Sequence, residues 1–202
     1  MIEIKQMCKS YDEKTIFKDF NLLINDGEFI AIKGPSGCGK TTLLNIIGGL
    51  ENPDAGTILV NGKNIKHPKE KRDYFLNQVS FLFQNFVLME NKTVIENIDL
   101  VNKKQRTKTT PLEALKIVGL EDKEKVKVYK LSGGEQQRVA LARLLIKKSN
   151  IILADEPTGS LDEKNAILVM EILKKLNDDG KIVIVVTHSN MVASYAERVI
   201  QL

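Results

Sequence analysis

The sequence predicts an α/β fold built on a mainly parallel sheet, and three observations carry that reading. Apolar runs of strand length recur along the chain, at "EFIAIK", "VSFLF", "IILAD" and "IVIVVT". Helical patterns such as "EQQRVALARLLIKK" and "NAILVMEILKKLN" separate the later runs. A glycine loop, "GPSGCGKT" from Gly34 to Thr41, stands between the first run and a further helical pattern. Continuous apolar runs suit strands covered on both faces, and helical connections between them favour parallel pairing.

Taken in order, "IEI" (Ile2 to Ile4) and "FNLLI" (Phe20 to Ile24) read as short strands. "EFIAIKGPSGCGKTTLLNIIGGL" then reads as strand, loop and helix. In "TILVNGKNI", Asn61-Gly62 lies between two β-prone runs and signals a tight hairpin. "VSFLF" (Val79 to Phe83) is the next buried-strand candidate, and from about Asn85 to Lys130 the pattern turns charged and helix-prone, without strands. That segment reads as a small helical lobe inserted in the sheet domain. "IILAD" (Ile151 to Asp155) and "IVIVVT" (Ile182 to Thr187) return to buried strands, and the chain stops at "RVIQL" soon after the last of them. "NKKQRTKTTP" is the most linker-like piece, and no internal repeat or low-complexity tail is evident.

At 202 residues, with 43% hydrophobic and 28% charged residues, the chain has the size and composition of one ordinary globular domain. A net charge of +4 demands neither nucleic acid nor an anionic membrane. The basic stretches "KHPKEKR" and "NKKQRTK" lack the interleaved aromatics that stack on bases, so they read as solvated loops and no nucleic-acid partner is expected. Two cysteines, Cys8 and Cys38, make no disulfide framework or metal cluster, which suits a reducing, cytoplasmic setting. The N-terminus shows no signal-peptide pattern, and the longest strongly apolar runs fall far short of the roughly 20 residues that span a bilayer. Work at a membrane would need another chain to do the spanning.

"GPSGCGKT" matches G-x-x-x-x-G-K-[ST] in full and in the required strand–loop–helix context. Gly34, Gly37 and Gly39 let backbone N–H groups close around phosphate, and Pro35, Ser36 and Cys38 complete the loop. The helix that follows offers about half a positive charge at its N-terminus. Lys40 supplies a cation for the β- and γ-phosphates, Thr41 a hydroxyl for Mg²⁺, and Thr42 extends the binding segment. Cys38 reads as a small loop residue contributing backbone, with a redox role as the alternative.

"IILADEPT" ends an apolar strand with Asp155 and Glu156. At the carboxyl edge of a parallel sheet an aspartate can hold Mg²⁺, and the neighbouring glutamate can orient and deprotonate an attacking water. His188 closes the next strand at the same edge, where a γ-phosphate sensor would stand. Gln84 follows "VSFLF" and can reach the metal and the water from the start of the helical lobe. His67, in "IKHPKEKR", reads as a residue of a charged loop.

A second loop, "LSGGE" from Leu131 to Glu135, opens onto the helix "QQRVALARLL". Ser132 precedes free helical N–H groups, and Gly133 and Gly134 permit close backbone approach, so this too is an anion site. Tyr11, "GPSGCGKT", Gln84, "LSGGE", "ILADEPTGSLD" and His188, in this order, resemble the ATP-binding subunits of ABC transporters over practically the whole chain.

That resemblance implies a P-loop ATPase fold with an antiparallel β subdomain: residues 1–84 and 146–202 as core, and about 85–145 as a helical subdomain holding the signature. It implies ATP and Mg²⁺ as ligands and a head-to-tail homodimer enclosing two ATP molecules. Ser132, Gly133 and Gly134 of one copy would then hold the γ-phosphate bound at the other copy's Lys40. Tyr11 looks like the aromatic that stacks on adenine; a core or surface tyrosine is the alternative. Ser160, Leu161 and Asp162 look like the loop that signals across the dimer, although Asp162 can also cap the next helix. Gln84 to Ile98 looks like the grip on an integral membrane permease, with Phe86, Val87, Leu88 and Met89 either an exposed docking patch or part of the lobe's packing. Glu135 stands where many relatives have glutamine. The brevity of the chain looks like exporters of peptides, lipoproteins or macrolides, working at the cytoplasmic face of a membrane. A cassette serving nucleic acid or the ribosome, or one driving cell-division or iron–sulfur assembly machinery, are the rival readings.

Overall fold

The computed structural model describes residues 1–159 and 161–202. Two sheets organise it. The first is antiparallel, in the order β2-β1-β4-β5: β1 Ile2–Tyr11, β2 Lys14–Ile24, β4 Ala55–Val60 and β5 Lys63–Asn64. The second is parallel throughout, in the order β6-β7-β8-β3-β9: β3 Phe29–Lys33, β6 Val79–Leu82, β7 Ile151–Asp155, β8 Ile182–Val186 and β9 Arg198–Gln201.

Side chains along the parallel strands alternate between two apolar clusters, as the two-residue period of a strand requires. In β8, Ile182, Ile184 and Val186 face one cluster, and Val183 and Val185 face the other. The first cluster receives Leu43, Leu44, Ile46 and Ile47 of helix α1 (Lys40–Ile47) together with Ile2, Ile4, Ile58 and Val60 of the antiparallel sheet. Helix α1 is therefore buried among strands of both sheets, which fixes the loop at its N-terminus. The opposite cluster holds α5 (Gly133–Ile146) and α6 (Glu163–Asp178), and continues without a break into α3 (Val94–Asp99) and α4 (Pro111–Ile117). Thr93, Thr110 and Ser132 close capping boxes with Glu96, Glu113 and Glu135, so two of these helices form despite being only six and seven residues long.

The Asn61-Gly62 hairpin is present: Val60 pairs with Lys63, and both turn residues have positive φ, 49° and 75°. Positive φ at both central residues is the turn whose twist matches the flanking strands. Three expectations need correction. The strands β1 and β2 are ten and eleven residues long rather than short, because bulges between Ile4 and Ser10 carry β1 through its polar half. "IKHPKEKR" is not a loop: Pro68 starts helix α2 (Pro68–Asp73), His67 sits at its N-cap position, and a π-helical turn at Tyr74–Gln78 follows. "IVIVVT" is not the last strand: "RVIQ" forms β9, which pairs in parallel with β3, Ile32 opposite Ile200. A last short helix, α7 (Asn190–Ala193), joins β8 to β9.

Candidate functional site

The loop Gly34–Gly39 leaves the carboxyl end of β3 and enters α1 at Gly39, whose φ of 101° only glycine adopts readily. A Cβ there would also lie 2.4 Å from Ile16 Cγ2, so the backbone needs the space as well as the conformation. Lys40 folds back across the loop, its Nζ donating to the carbonyls of Gly34 at 2.9 Å and Pro35 at 2.8 Å. Lys14 donates to the Gly37 carbonyl at 3.3 Å from the antiparallel sheet. Ser36, Gly37, Gly39, Lys40, Thr41 and Thr42 line a cleft of about 450 Å³, and Tyr11, Gln84, Asp155 and Glu156 line the same cleft. The Cys38 sulfur turns inward: a Cβ added to Gly34 would lie 2.7 Å from it.

Asp155 ends β7, between β6 and β8, and Glu156 follows it directly, so both stand at the carboxyl edge of the sheet. Burial pushes the Asp155 carboxyl up, a hydrogen bond from Thr41 and the charge of Lys40 pull it down, and the charge of Glu156 adds to the rise. Thr41 hydrogen-bonds Asp155, and Gln84 lines the same cleft; their oxygens are the kind of donor a small hard cation such as Mg²⁺ takes beside phosphates. Among the described residues no group of three or more His, Cys, Asp or Glu side chains forms a metal cluster by itself.

Glu156 has a φ of 43°, uncommon for a residue with a side chain. Its carboxylate is fixed by Thr187 Oγ1 at 3.2 Å, the His188 backbone N–H at 3.1 Å and His188 Nδ1 at 2.8 Å. The glutamate side chain is 14% exposed whereas that of His188 is 77% exposed, so the ring covers the acid and leaves its outer edge free. Thr187 was missed from sequence, because a single hydroxyl after a strand carries no spacing signal.

The Tyr11 ring is held rather than loose. Lys9 Nζ lies 4.8 Å from its centroid, its hydroxyl bonds Glu51, and Lys9 pairs with Glu51 at 2.9 Å and Asp54 at 3.2 Å.

The second loop lies elsewhere. Among the described residues, none of Ser132, Gly133 and Gly134 lines the Lys40 cleft. Ser132 caps α5: its Oγ accepts from the Glu135 N–H at 3.3 Å, and the Glu135 carboxylate accepts from the Ser132 N–H at 2.8 Å. Glu135 also pairs with Lys123, which lowers the pKa of its carboxyl, helped by the N–H of Ser132. A Cβ at Gly133 would meet nothing within 4 Å, so this helix end is open to a visitor.

Asp162 caps α6, accepting from the Asn165 N–H at 2.9 Å, and Leu161 packs against the core. Ser160 lies outside the described residues. The stretch after Gln84 divides: Val87 and Met89 are half exposed, whereas Phe86 and Leu88 pack against the core. Arg143 of α5 donates to the Phe86 and Val87 carbonyls at 3.0 and 2.8 Å and fixes that turn.

The ABC transporter family matches residues 17–159, more than two thirds of the chain. The chain belongs to the ABC transporter family. Over its whole length it is 44% identical to an uncharacterized ABC transporter ATP-binding protein of Methanocaldococcus jannaschii, MJ1508, of which it covers 95%. It is 41% identical to the macrolide export ATP-binding/permease protein MacB of Campylobacter jejuni, and spans only 33% of that longer protein. Among solved structures it is similar to the dimeric ABC transporter cassette MJ0796, with a TM-score of 0.91, 42% identity and coverage of 100% of this chain and 94% of that one. A dimeric post-hydrolysis state of the same cassette, bound to ADP and Pi, gives a TM-score of 0.89 at 39% identity. The fold, the order of motifs and the family make this chain an ABC ATPase cassette, which binds and hydrolyses ATP.

Proposed function

We propose that this cassette is the motor subunit of a transporter, working as a head-to-tail homodimer that encloses two ATP molecules and drives a separate integral membrane permease. The observation that carries the reading is the division of its phosphate sites. Lys40, Thr41, Gln84, Asp155 and Glu156 converge on one cleft, while the open end of α5 at Ser132 lies outside it. A second copy bringing its Ser132 end to the Lys40 cleft completes the site. The dimers of the similar cassette MJ0796 support that arrangement.

In the cleft the adenine stacks on Tyr11, and Gly34, Pro35, Ser36, Gly37, Cys38, Gly39 and Thr42 wrap the phosphates. Lys40 leaves the loop carbonyls for the β- and γ-phosphate oxygens. Thr41, Gln84 and Asp155 would hold Mg²⁺, which would supply positive charge beside the phosphates. Glu156 takes a proton from water as the water oxygen bonds to the γ-phosphorus; the bond to the bridging oxygen breaks, and ADP leaves with the electron pair. His188 steadies Glu156 through Nδ1 and senses the γ-phosphate. From the partner copy, Ser132, Gly133 and Gly134 add backbone donors where charge spreads in the transition state.

Residues 85–145 act as the lobe that reports closure to the permease, with Val87 and Met89 as exposed contacts. The chain thus sits peripherally at the cytoplasmic face of a membrane. No described helix is long and apolar enough to cross one. The cargo in this reading is a peptide, a lipoprotein or a drug-like molecule, and the likeness to a macrolide export protein supports the outward direction.

The test is a pair of variants. Glu156→Gln should bind MgATP, lose most turnover and accumulate as a closed dimer on size exclusion, whereas Lys40→Ala should bind ATP poorly. Turnover by Glu156→Gln at the wild-type rate would remove the glutamate from its assigned role.

A further inference from the structure

Gln137 stands on α5 five residues past Ser132, about 7 Å along the axis, and is 1% exposed. Its Nε2 donates to the carbonyl of Pro157 at 2.9 Å, a buried hydrogen bond between the signature helix and the residue after Glu156. Its Oε1 is buried and has no partner among the described residues. A buried amide satisfied on one side only is costly. The Glu156 backbone beside it is itself uncommon: φ is 43°, its N–H donates to Val186 at 2.9 Å, and its carbonyl accepts from Gly159 at 3.1 Å. Pro157 has no N–H of its own, so its carbonyl is where a neighbouring element can grip this turn. One residue on, Arg138 repeats the connection through Asn165 at 2.6 Å, and Asn165 in turn bonds Asp162.

We propose that Gln137 is a positioning residue for hydrolysis: it ties the phosphate-facing end of α5 to the turn that aims Glu156 in the same copy. This rests on the composite-site reading above. If α5 of one copy touches the nucleotide of the other, Gln137 links the occupancy of that second site to the base of the first. A rigid helix with a buried hydrogen bond at its second turn is the physical route.

The experiment compares steady-state ATPase of wild type, Gln137→Met and Gln137→Glu, with melting temperature measured alongside. Gln137→Met keeps the volume and removes the donor; kcat should fall about tenfold, as small misplacements of a catalytic group do, with KM within about twofold. Gln137→Glu sets an acceptor against the Pro157 carbonyl, so its kcat should fall as well. Relative to wild type at the same pH, that loss should lessen as pH drops and the buried carboxyl gains a proton to donate. In single-turnover hydrolysis, adding Gln137→Met to Glu156→Gln should cause no further loss, because the two act through one group.

A kcat for Gln137→Met within twofold of wild type overturns the proposal. So does a further tenfold loss on top of Glu156→Gln, or a fall in kcat that tracks melting temperature in both variants. Failure of the base assignment is read separately, from Glu156→Gln alone.

Discussion

Three donors converge on the carboxylate of Glu156, from Thr187, the His188 backbone and the His188 ring, while its own φ stays in a sparsely populated region. Strain held by surrounding bonds is how a site keeps a group aimed before substrate arrives. Glu135 presents the opposite case, a carboxylate whose contacts are all structural. Lys123 and the Ser132 N–H hold its carboxyl low, so its contribution to stability is full above the unfolded value, near 4.3, and is lost as pH falls through the lower folded value. Glu135→Gln keeps an oxygen for the capping box and loses the ion pair. It should cost about 1 kcal/mol or less at pH 7, and the difference from wild type in thermal melts should vanish well below pH 4. That Lys40, Thr41, Asp155 and Glu156 share one cleft was legible in the sequence, because a glycine loop before a helix and an acid pair at a strand end both fall at the carboxyl edge of a parallel sheet. Thr187, Lys14 and Gln137 were not legible, since each acts through a single contact that folding alone creates.

Among the elements, α1 is the most constrained, with the phosphate loop at one end and β6 pressed against the other. A Cβ at Gly48 would lie 2.4 Å from the Phe81 ring and 3.0 Å from Leu153. Its φ of −71° suits any residue, so the demand is steric. Gly48→Ala should therefore destabilise by about 1–3 kcal/mol, the usual cost of overpacking, read as a lower urea midpoint at unchanged slope. An unchanged midpoint would mean that Phe81 yields freely. The interior strands were readable as unbroken apolar runs, since helices cover both faces of the parallel sheet. The edge strand β9 escaped because only Ile200 of its four residues turns partly inward, the rest being exposed. Helix α2 escaped because none of its own residues is buried; Tyr74, just beyond it, carries the packing through a hydrogen bond to the Ile47 carbonyl at 3.0 Å.

At the scale of the whole molecule, the sheet brings Asp155 and Glu156 to the Lys40 cleft at its carboxyl edge, and the Ser132 end of α5 does not line that cleft. Complementation between two copies therefore tests the proposed shared site directly. Lys40→Ala and Ser132→Arg should each be nearly inactive alone, one lacking the phosphate cation and the other blocking the α5 end. Mixed in equal amounts, half of the dimers pair the two variants and hold one intact site, so ATPase should rise well above either variant alone, to at most about a quarter of wild type. Activity that stays at the level of the two separate variants would contradict the shared site.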